Sequence, residues 1–204
     1  MILGRTNTEF PSTWLKLAVS RDCSPAELAA AARATGVPLD ISSQPALWGG
    51  SLRGGEDVLM VESNFQVERG TSQDHSTDLL QANLIEHLSS IGREMVDIFV
   101  FRVRRVMEDH QIAGAMAALE FAKSEGHVRY LCLGFDGPVP AVMSFWQFHD
   151  AFELVRLPAT EGYSAALDFA HNRRVGVIVS GVTDRPDAVS LKTVSTLEDI
   201  RGSL

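Results

Sequence analysis

A strand, a helix and a second strand follow one another closely in the middle of this chain. Residues 95–103 form an apolar run, residues 111–124 carry apolar side chains at helical spacing, and residues 128–135 form a second apolar run. Parallel neighbouring strands need a long crossover, usually a helix, and that crossover is almost always right-handed. This stretch therefore predicts a parallel sheet covered by helices.

Seven apolar runs of strand length occur along the chain, and most are continuous, as expected for strands covered on both faces. They are residues 15–20, 37–42, 57–63, 96–103, 128–135, 152–157 and 175–180. Helical patterns lie between most of them. One begins at Ser24 with a capping box, one covers 76–91 and ends at Gly92, and others cover 140–148 and 161–174. The alternation predicts an α/β fold in a single domain over residues 1–204.

Composition narrows the class of protein further. The chain has 204 residues, 45% hydrophobic and 22% charged, which is enough for one domain with a sizeable core. Its net charge of −8 disfavours binding to nucleic acid or to anionic membranes, because both need a basic face. Cys23 and Cys132 read as lone thiols, and neither a signal peptide nor a membrane span is recognisable. We therefore expect a cytoplasmic protein.

Short segments of the chain resemble, in order, the motifs of the aldo/keto reductases. Residues 2–19, 34–40 and 175–180 resemble the first, second and seventh strands of that family, and Asp97 and the 126–129 segment stand where the family places the same residues. The resemblance covers most of the chain and implies a TIM-barrel-like (β/α) barrel. The alternative, a doubly wound sheet, is disfavoured because no Gly-x-Gly-x-x-Gly follows the first strand.

Chain length predicts a barrel that is trimmed or incompletely closed. Barrels of this type typically need about 250 residues, more than this chain has. The segment between Ser42 and Glu56 is too short for the full second helix of the family. After Val182 the sequence indicates one helix, begun near residues 196–199, and no eighth strand.

The resemblance also implies a set of catalytic positions: a Tyr acid, a Lys and a His that tune it, and a supporting Asp. Asp40 matches the Asp, and we interpret it as either a remnant of the set or, with more weight, a strand-end residue that binds backbone amides. Trp48 is the nearest equivalent of the Tyr. Glu62 and Ser63 occupy the Lys position, and Arg102 occupies the His position. These replacements predict a degenerate active site.

The positions that hold the nicotinamide cofactor in the family are replaced as well. Gly134 and Phe135 stand where the family has Ser-Asn, and the strand that contains Arg156 lacks the family's Gln and stacking Tyr. We therefore expect no cofactor, although the resemblance leaves NADP possible. No metal site is expected, because the six histidines show none of the usual ligand spacings.

Five side chains are candidates for ligand binding: Trp48, Glu62, Asn64, Arg102 and Arg156. We expect Arg102 to pair with Glu62 or with Asp40 rather than to capture an anion. Two further arginines extend the basic group, and Arg102, Arg104, Arg105 and Arg156 could together form a pocket for a phosphate or carboxylate. A solvated loop surface is the more common explanation of such a group.

Three functions are compatible with these observations. The first is a non-catalytic relative that binds a small ligand or a protein partner and self-associates through the aromatic helix 143–149 or the C-terminal edge. The second is an NAD(P)H-dependent oxidoreductase that acts on aldehydes or ketones with a divergent site. The third is a different enzyme in which Glu62 is the base and Arg102 or Arg156 holds an anion.

Overall fold

The computed structural model describes residues 1–160 and 162–203, which form a closed barrel of eight parallel strands surrounded by helices. The strands are β1 Thr13–Leu17, β2 Leu39–Asp40, β3 Leu59–Glu62, β4 Val96–Val103, β5 Val128–Phe135, β6 Leu154–Pro158, β7 Gly176–Ser180 and β8 Ala188–Val194. The α-helices are α1 Pro25–Ala34, α2 Pro45–Leu52, α3 Gln73–Ile91, α4 Asp109–Ser124, α5 Val139–Trp146, α6 Ser164–Asn172 and α7 Leu197–Ser203, and Gly4–Thr6 is a 3₁₀ turn. Each strand is hydrogen-bonded to the next, and β8 returns to β1.

The predicted (β/α) barrel is confirmed. Each of the seven predicted strands coincides at least in part with one of β1 to β7, and β4 and β5 have the predicted bounds. The chain is short because its second crossover is short, since α2 has only eight residues.

The prediction that the barrel is incompletely closed is wrong. An eighth strand, β8, pairs with β1 in parallel from Thr13↔Ser190 to Leu17↔Val194, and its other edge pairs with β7. The strand escaped recognition because Lys192 and Thr193 interrupt its apolar run. Lys192 points outward, and its Nζ donates to the carbonyl oxygen of Ser203 in α7 at 2.8 Å.

Local sequence signals explain where several helices begin and end. Ser24 caps α1, and the backbone N–H of Ser24 in turn donates to the Glu27 carboxylate. Gly92 ends α3 in the left-handed conformation, with a φ of 71°, and its N–H donates to the carbonyl oxygen of Leu88. The helix predicted over 161–174 is α6, and residue 161 lies outside the described residues.

Buried apolar side chains form two layers, one inside the barrel and one between the strands and the helices. The inner layer includes Trp14, Met60, Ile98, Val100, Tyr130, Cys132, Leu154, Ile178, Val189 and Leu191. Side chains alternate between the two layers along each strand because the strand period is two. The polar groups that end several strands therefore face the same opening of the barrel.

The N-terminal segment covers the opposite opening. Leu3 and Phe10 are buried against the inner layer, and Arg5 donates to the carbonyl oxygen of Phe152 at 2.6 Å. Gly4 has a φ of 54°, and a Cβ built on it would lie 2.1 Å from the backbone nitrogen of Gly176. Only glycine allows this close approach, so one end of the barrel is sealed and the other carries the polar residues.

Candidate functional site

An ion-pair network fills the barrel at the carboxyl ends of the strands, where functional sites of such barrels lie. Arg156 on β6 contacts the carboxylate of Glu62 on β3, and its Nη1 lies 3.5 Å from Oδ2 of Asp40 on β2. Glu62 also pairs with Arg102 on β4, which pairs in turn with Asp136. Acids and guanidinium groups therefore alternate across the mouth.

The inner members of this network are shielded from solvent. The side chains of Glu62 and Arg156 are 7% and 12% exposed, and that of Asp40 is 0% exposed. Burial alone would lower the pKa of Arg156, but the charges of Glu62 and Asp40 outweigh it and raise that pKa. The guanidinium is therefore held permanently charged between two carboxylates.

Asp40 has the structural role that its position at a strand end predicts. Its Oδ1 accepts the backbone N–H of Ser42 at 2.9 Å and the Ser42 hydroxyl as well. Its Oδ2 faces Arg156 without a hydrogen bond among the described residues. The expected contact with the following turn is confirmed, and Asp40 also belongs to the ion-pair network.

The expected pairing of Arg102 with Glu62 is confirmed, and it counts against the use of Glu62 as a base. One carboxylate oxygen of Glu62 faces Arg102 and the other faces Arg156. Both oxygens are therefore engaged with guanidinium groups. A general base must instead reach the proton of a bound substrate.

A polar cavity of about 400 Å³ lies at the mouth, beside the network. Its lining includes Lys16, Ser42, Ser43, Glu62, Ser63, Asn64, Asn83, Glu86, His87 and Arg102. The Nε2 of His87 lies 3.0 Å from the carbonyl oxygen of Glu62, so this nitrogen is the donor. Burial lowers the pKa of His87, which favours the neutral ring.

Lys16 is a cavity residue that the sequence analysis missed. It lies on β1 opposite Asp40 in the strand register, and it makes no ion pair with any residue that the structure describes. The available signal was its position as the polar residue within the apolar β1 run.

A second cavity, of about 380 Å³, opens between the loops that follow β3 and β4. Its lining consists of Phe65, Gln66, Val67, Glu68, Arg69, Arg102, Arg104, Arg105 and Met107. The structure therefore brings together three of the four arginines proposed as a basic pocket and leaves Arg156 inside the barrel. Arg69 replaces it in the group. Its place in a loop after a parallel strand was the signal that could have revealed it.

The remaining candidates, Trp48 and Asn64, occupy different environments. Trp48 lies on α2, has 0% exposure and belongs to the outer apolar layer. Asn64 is exposed at the polar cavity, and its backbone N–H donates to Oδ1 of Asn83 at 2.8 Å. Of the two, Asn64 is therefore the one accessible to a ligand.

Neither tyrosine of the chain lines the polar cavity at the mouth. The hydroxyl of Tyr130 lies 2.5 Å from Oγ1 of Thr8 near the sealed end, and the ring of Tyr163 packs on Phe135 at 5.8 Å. Burial raises the pKa of the inward-facing Cys132 to about 12, so this thiol stays protonated. The described part of the mouth thus presents guanidinium, carboxylate, ammonium, hydroxyl and imidazole groups.

The start of α7, after β8, is where barrels of this type often bind a phosphate. Here the Asp199 carboxylate already accepts the backbone N–H groups of Ser195 and Thr196, at 2.7 and 2.9 Å. Two backbone donors just before α7 are therefore satisfied by the chain itself, and a carboxylate stands where a phosphate would approach them.

Two classes of site find no support in the described residues. Within 1–160 and 162–203, no group of three or more His, Cys, Asp or Glu side chains could hold a metal ion. Across the same residues, no helix has the length and apolar character needed to span a membrane.

Solved structures with the same fold are aldo-keto reductases. The holo form of an aldo-keto reductase from Bacillus halodurans is 13% identical, with a TM-score of 0.76 over 100% of this chain and 88% of its own. An aldo-keto reductase from Brucella melitensis is 13% identical, with a TM-score of 0.72 over 100% of this chain and 91% of its own.

A third structure is that of an aldo-keto reductase from Klebsiella pneumoniae in complex with NADPH. It is 12% identical, with a TM-score of 0.72 over 97% of this chain and 85% of its own. No family model matches the sequence, and no curated protein sequence is similar to it. The resemblance to aldo-keto reductases therefore shows a shared fold. It does not show a shared reaction, because fold alone does not carry function.

Proposed function

We propose that this chain is a non-catalytic binding protein that has kept the aldo-keto reductase barrel and lost the reductase reaction. The ion-pair network at the mouth is the observation that supports this proposal. Asp40, Arg156, Glu62 and Arg102 neutralise one another at the position where a reductase needs a proton donor and its tuning cation. In such a site the charged side chains bind one another and keep one another in position.

Carbonyl reduction needs a group that gives a proton to the developing alkoxide. The phenol of Tyr130 lies in the inner apolar layer and is 8% exposed, and Tyr163 packs in the outer layer. A guanidinium does not release its proton at neutral pH, so neither Arg102 nor Arg156 can take the place of a phenol.

Nicotinamide binding is opposed at the end of the barrel where β8 meets α7. Asp199 satisfies the N–H groups of Ser195 and Thr196, and its negative charge would repel a phosphate placed there. We therefore propose that neither NADPH nor NADH is the ligand of this protein.

The alternative is an NAD(P)H-dependent oxidoreductase that acts on aldehydes or ketones with a divergent site. Two observations favour it: the Klebsiella pneumoniae neighbour is an NADPH complex, and Lys16 places a cation beside Asp40 at the mouth. In this alternative Lys16 would take over the work of the missing lysine.

Turnover distinguishes the two proposals. We expect no oxidation of NADPH above the blank rate with a panel of aliphatic and aromatic aldehydes and ketones. Substrate-dependent oxidation that disappears in Lys16→Met, and persists in the exposed control Arg53→Gln, would establish the oxidoreductase and overturn the binding proposal.

A further inference from the structure

The second cavity combines an apolar floor with a basic rim, and we refer to it as the arginine pocket, defined by Phe65, Val67, Met107, Arg69, Arg104 and Arg105. Phe65 and Val67 are 6% and 7% exposed, so their side chains form the floor. The three arginines are exposed around it. The volume, about 380 Å³, is that of a small-molecule site.

Two of these guanidinium groups are not committed to the ion-pair network. Arg104 donates through Nε to Asp136 at 2.8 Å, and Arg102, at the boundary, is paired on both sides. Arg69 and Arg105, by contrast, make no ion pair or side-chain hydrogen bond with any residue in 1–160 or 162–203. Glu68 is the one acid in the described lining, so the rim carries an excess of positive charge.

The loop that carries Arg69 is tied to the start of α4. The side chain of Gln111, 1% exposed, donates to the carbonyl oxygen of Glu68 at 2.7 Å. Gly70 N–H donates to the Glu108 carboxylate at 3.1 Å, and Nε2 of His110 lies 2.8 Å from the carbonyl oxygen of Thr71. The loop is therefore held in place before a ligand arrives, which reduces the entropy lost on binding.

From these contacts we infer that the arginine pocket binds a small organic anion, with a carboxylate or phosphate on an apolar, preferably aromatic, body. Guanidinium groups bind the oxygens of both anions in pairs of parallel hydrogen bonds. The apolar body would lie over Phe65 and Met107, out of water. This inference rests on the proposed binding function and names the ligand class of that function.

Calorimetric titration of the full chain with phenyl phosphate, benzoate and inorganic phosphate tests the inference. We expect phenyl phosphate or benzoate to bind saturably, and phenyl phosphate to bind about tenfold or more tightly than inorganic phosphate, because the latter gains nothing from the floor. The ratio of phenyl phosphate to benzoate affinity tells a phosphate ligand from a carboxylate one. Saturable binding by neither aromatic anion, or saturable binding of phenyl phosphate and inorganic phosphate with equal affinity, would overturn the inference.

Substitution of exposed arginines locates the binding. Arg69→Gln and Arg105→Gln should each weaken binding about tenfold or more, through loss of a charge-assisted pair. Arg53→Gln removes an exposed arginine at the sealed end and should bind as the wild type does. Unchanged affinity in both pocket variants, or the same loss in Arg53→Gln, would overturn the assignment. These titrations contain no nicotinamide, so an absence of binding would not affect the proposal that the reductase reaction is lost. Turnover of NADPH would refute that proposal and would not bear on the ligand of the arginine pocket.

Discussion

Arg156 is a nearly buried guanidinium that lies between two carboxylates, those of Asp40 and Glu62. Removal of its charge would leave two carboxylates facing each other in a space from which water is largely excluded. Removing one partner of a buried ion pair typically lowers stability by several kcal/mol, because the other charge stays buried without a partner. This loss is far larger than any stability that the intact pair has over an apolar replacement of both partners.

Arg156→Met should therefore lower the free energy of unfolding by about 3 kcal/mol. Denaturation by urea, followed by circular dichroism, measures this change. The matched control is Arg185→Met, which removes one partner of an exposed pair with Asp187 and should change stability by no more than about 0.5 kcal/mol. Equal small effects in the two variants would show that the buried network contributes nothing.

His87 gives the fold a predictable response to acid. Burial lowers the pKa of its imidazole in the folded protein, whereas the unfolded chain takes up the proton near pH 6.5. The folded state thus binds fewer protons below that pH. The stability that neutral His87 contributes is complete above about pH 6.5 and falls as the pH drops below it.

An NMR titration of the His87 ring should give a pKa below 6.5, the ordinary value, in the native protein. His87→Gln should reduce the loss of unfolding free energy between pH 7 and pH 5.5, because part of that loss is removed with the ring. A measured pKa of 6.5 or more for His87 would contradict the dominance of burial, which lowers the pKa, over the hydrogen bond to the Glu62 carbonyl, which raises it.

The sequence predicted the pairing of Arg102 with Glu62, but not that of Arg156 with Glu62 and Asp40. Asp40, Glu62 and Arg102 end neighbouring strands, and their approach follows from the barrel. Asp136 directly follows β5 and continues its register with β4, in which Val103 is paired with Phe135. Its contacts with Arg102 and Arg104 therefore depend on a strand register that the apolar runs alone do not define.

Among the elements, β8 decides whether the barrel has edges. Its residues 190–194 pair with β1 and its residues 188–191 pair with β7, so the strand joins the two ends of the sheet. An unpaired β1 would otherwise expose a strand edge to solvent.

Ser190→Pro should reduce the unfolding free energy by about 3 kcal/mol or more, because proline cannot make the bond from the Ser190 N–H to the carbonyl oxygen of Ser12. The control Ser190→Ala keeps that bond and loses only the hydrogen bonds of the hydroxyl with Thr183, so the unfolding free energy should fall by about 1 kcal/mol. Urea denaturation compares the two. If proline were no worse than alanine, β8 would not be a central strand.

The sequence predicted strands β1 to β7 because their runs are mostly apolar, and it missed β8 for a physical reason. Lys192 and Thr193 give that strand a partly polar pattern. Lys192 tolerates its place on the outer face because its stem lies along the barrel and its ammonium reaches α7. Pairing on both edges, rather than local hydrophobicity, sets this strand.

For the whole molecule, closure removes one of the two reasons to expect self-association, since the C-terminal edge is paired. The other reason was the aromatic segment 143–149. Phe145 and Trp146, at the end of α5, are buried. Phe148, just beyond α5, is 82% exposed and lines the same cavity as Val106, which is 72% exposed. Apolar groups this exposed are typical of contact surfaces when they occur together.

We expect sedimentation velocity at micromolar concentration to show a dimer or larger species, and Phe148→Ser to shift it towards the monomer. The reason is that the substitution removes the larger of the two exposed apolar side chains, whose burial would drive association. A monomeric wild-type protein across that concentration range would refute self-association.

We propose that the barrel has kept its architecture and lost nicotinamide chemistry. Calorimetric titration of the full chain with NADPH and NADH tests it most directly. We predict no saturable heat at cofactor concentrations up to about 1 mM, the level at which even weak specific sites are detected. A dissociation constant in the micromolar range or tighter for either nucleotide, unaffected by Arg105→Gln, would show that a cofactor site survives and would contradict the account.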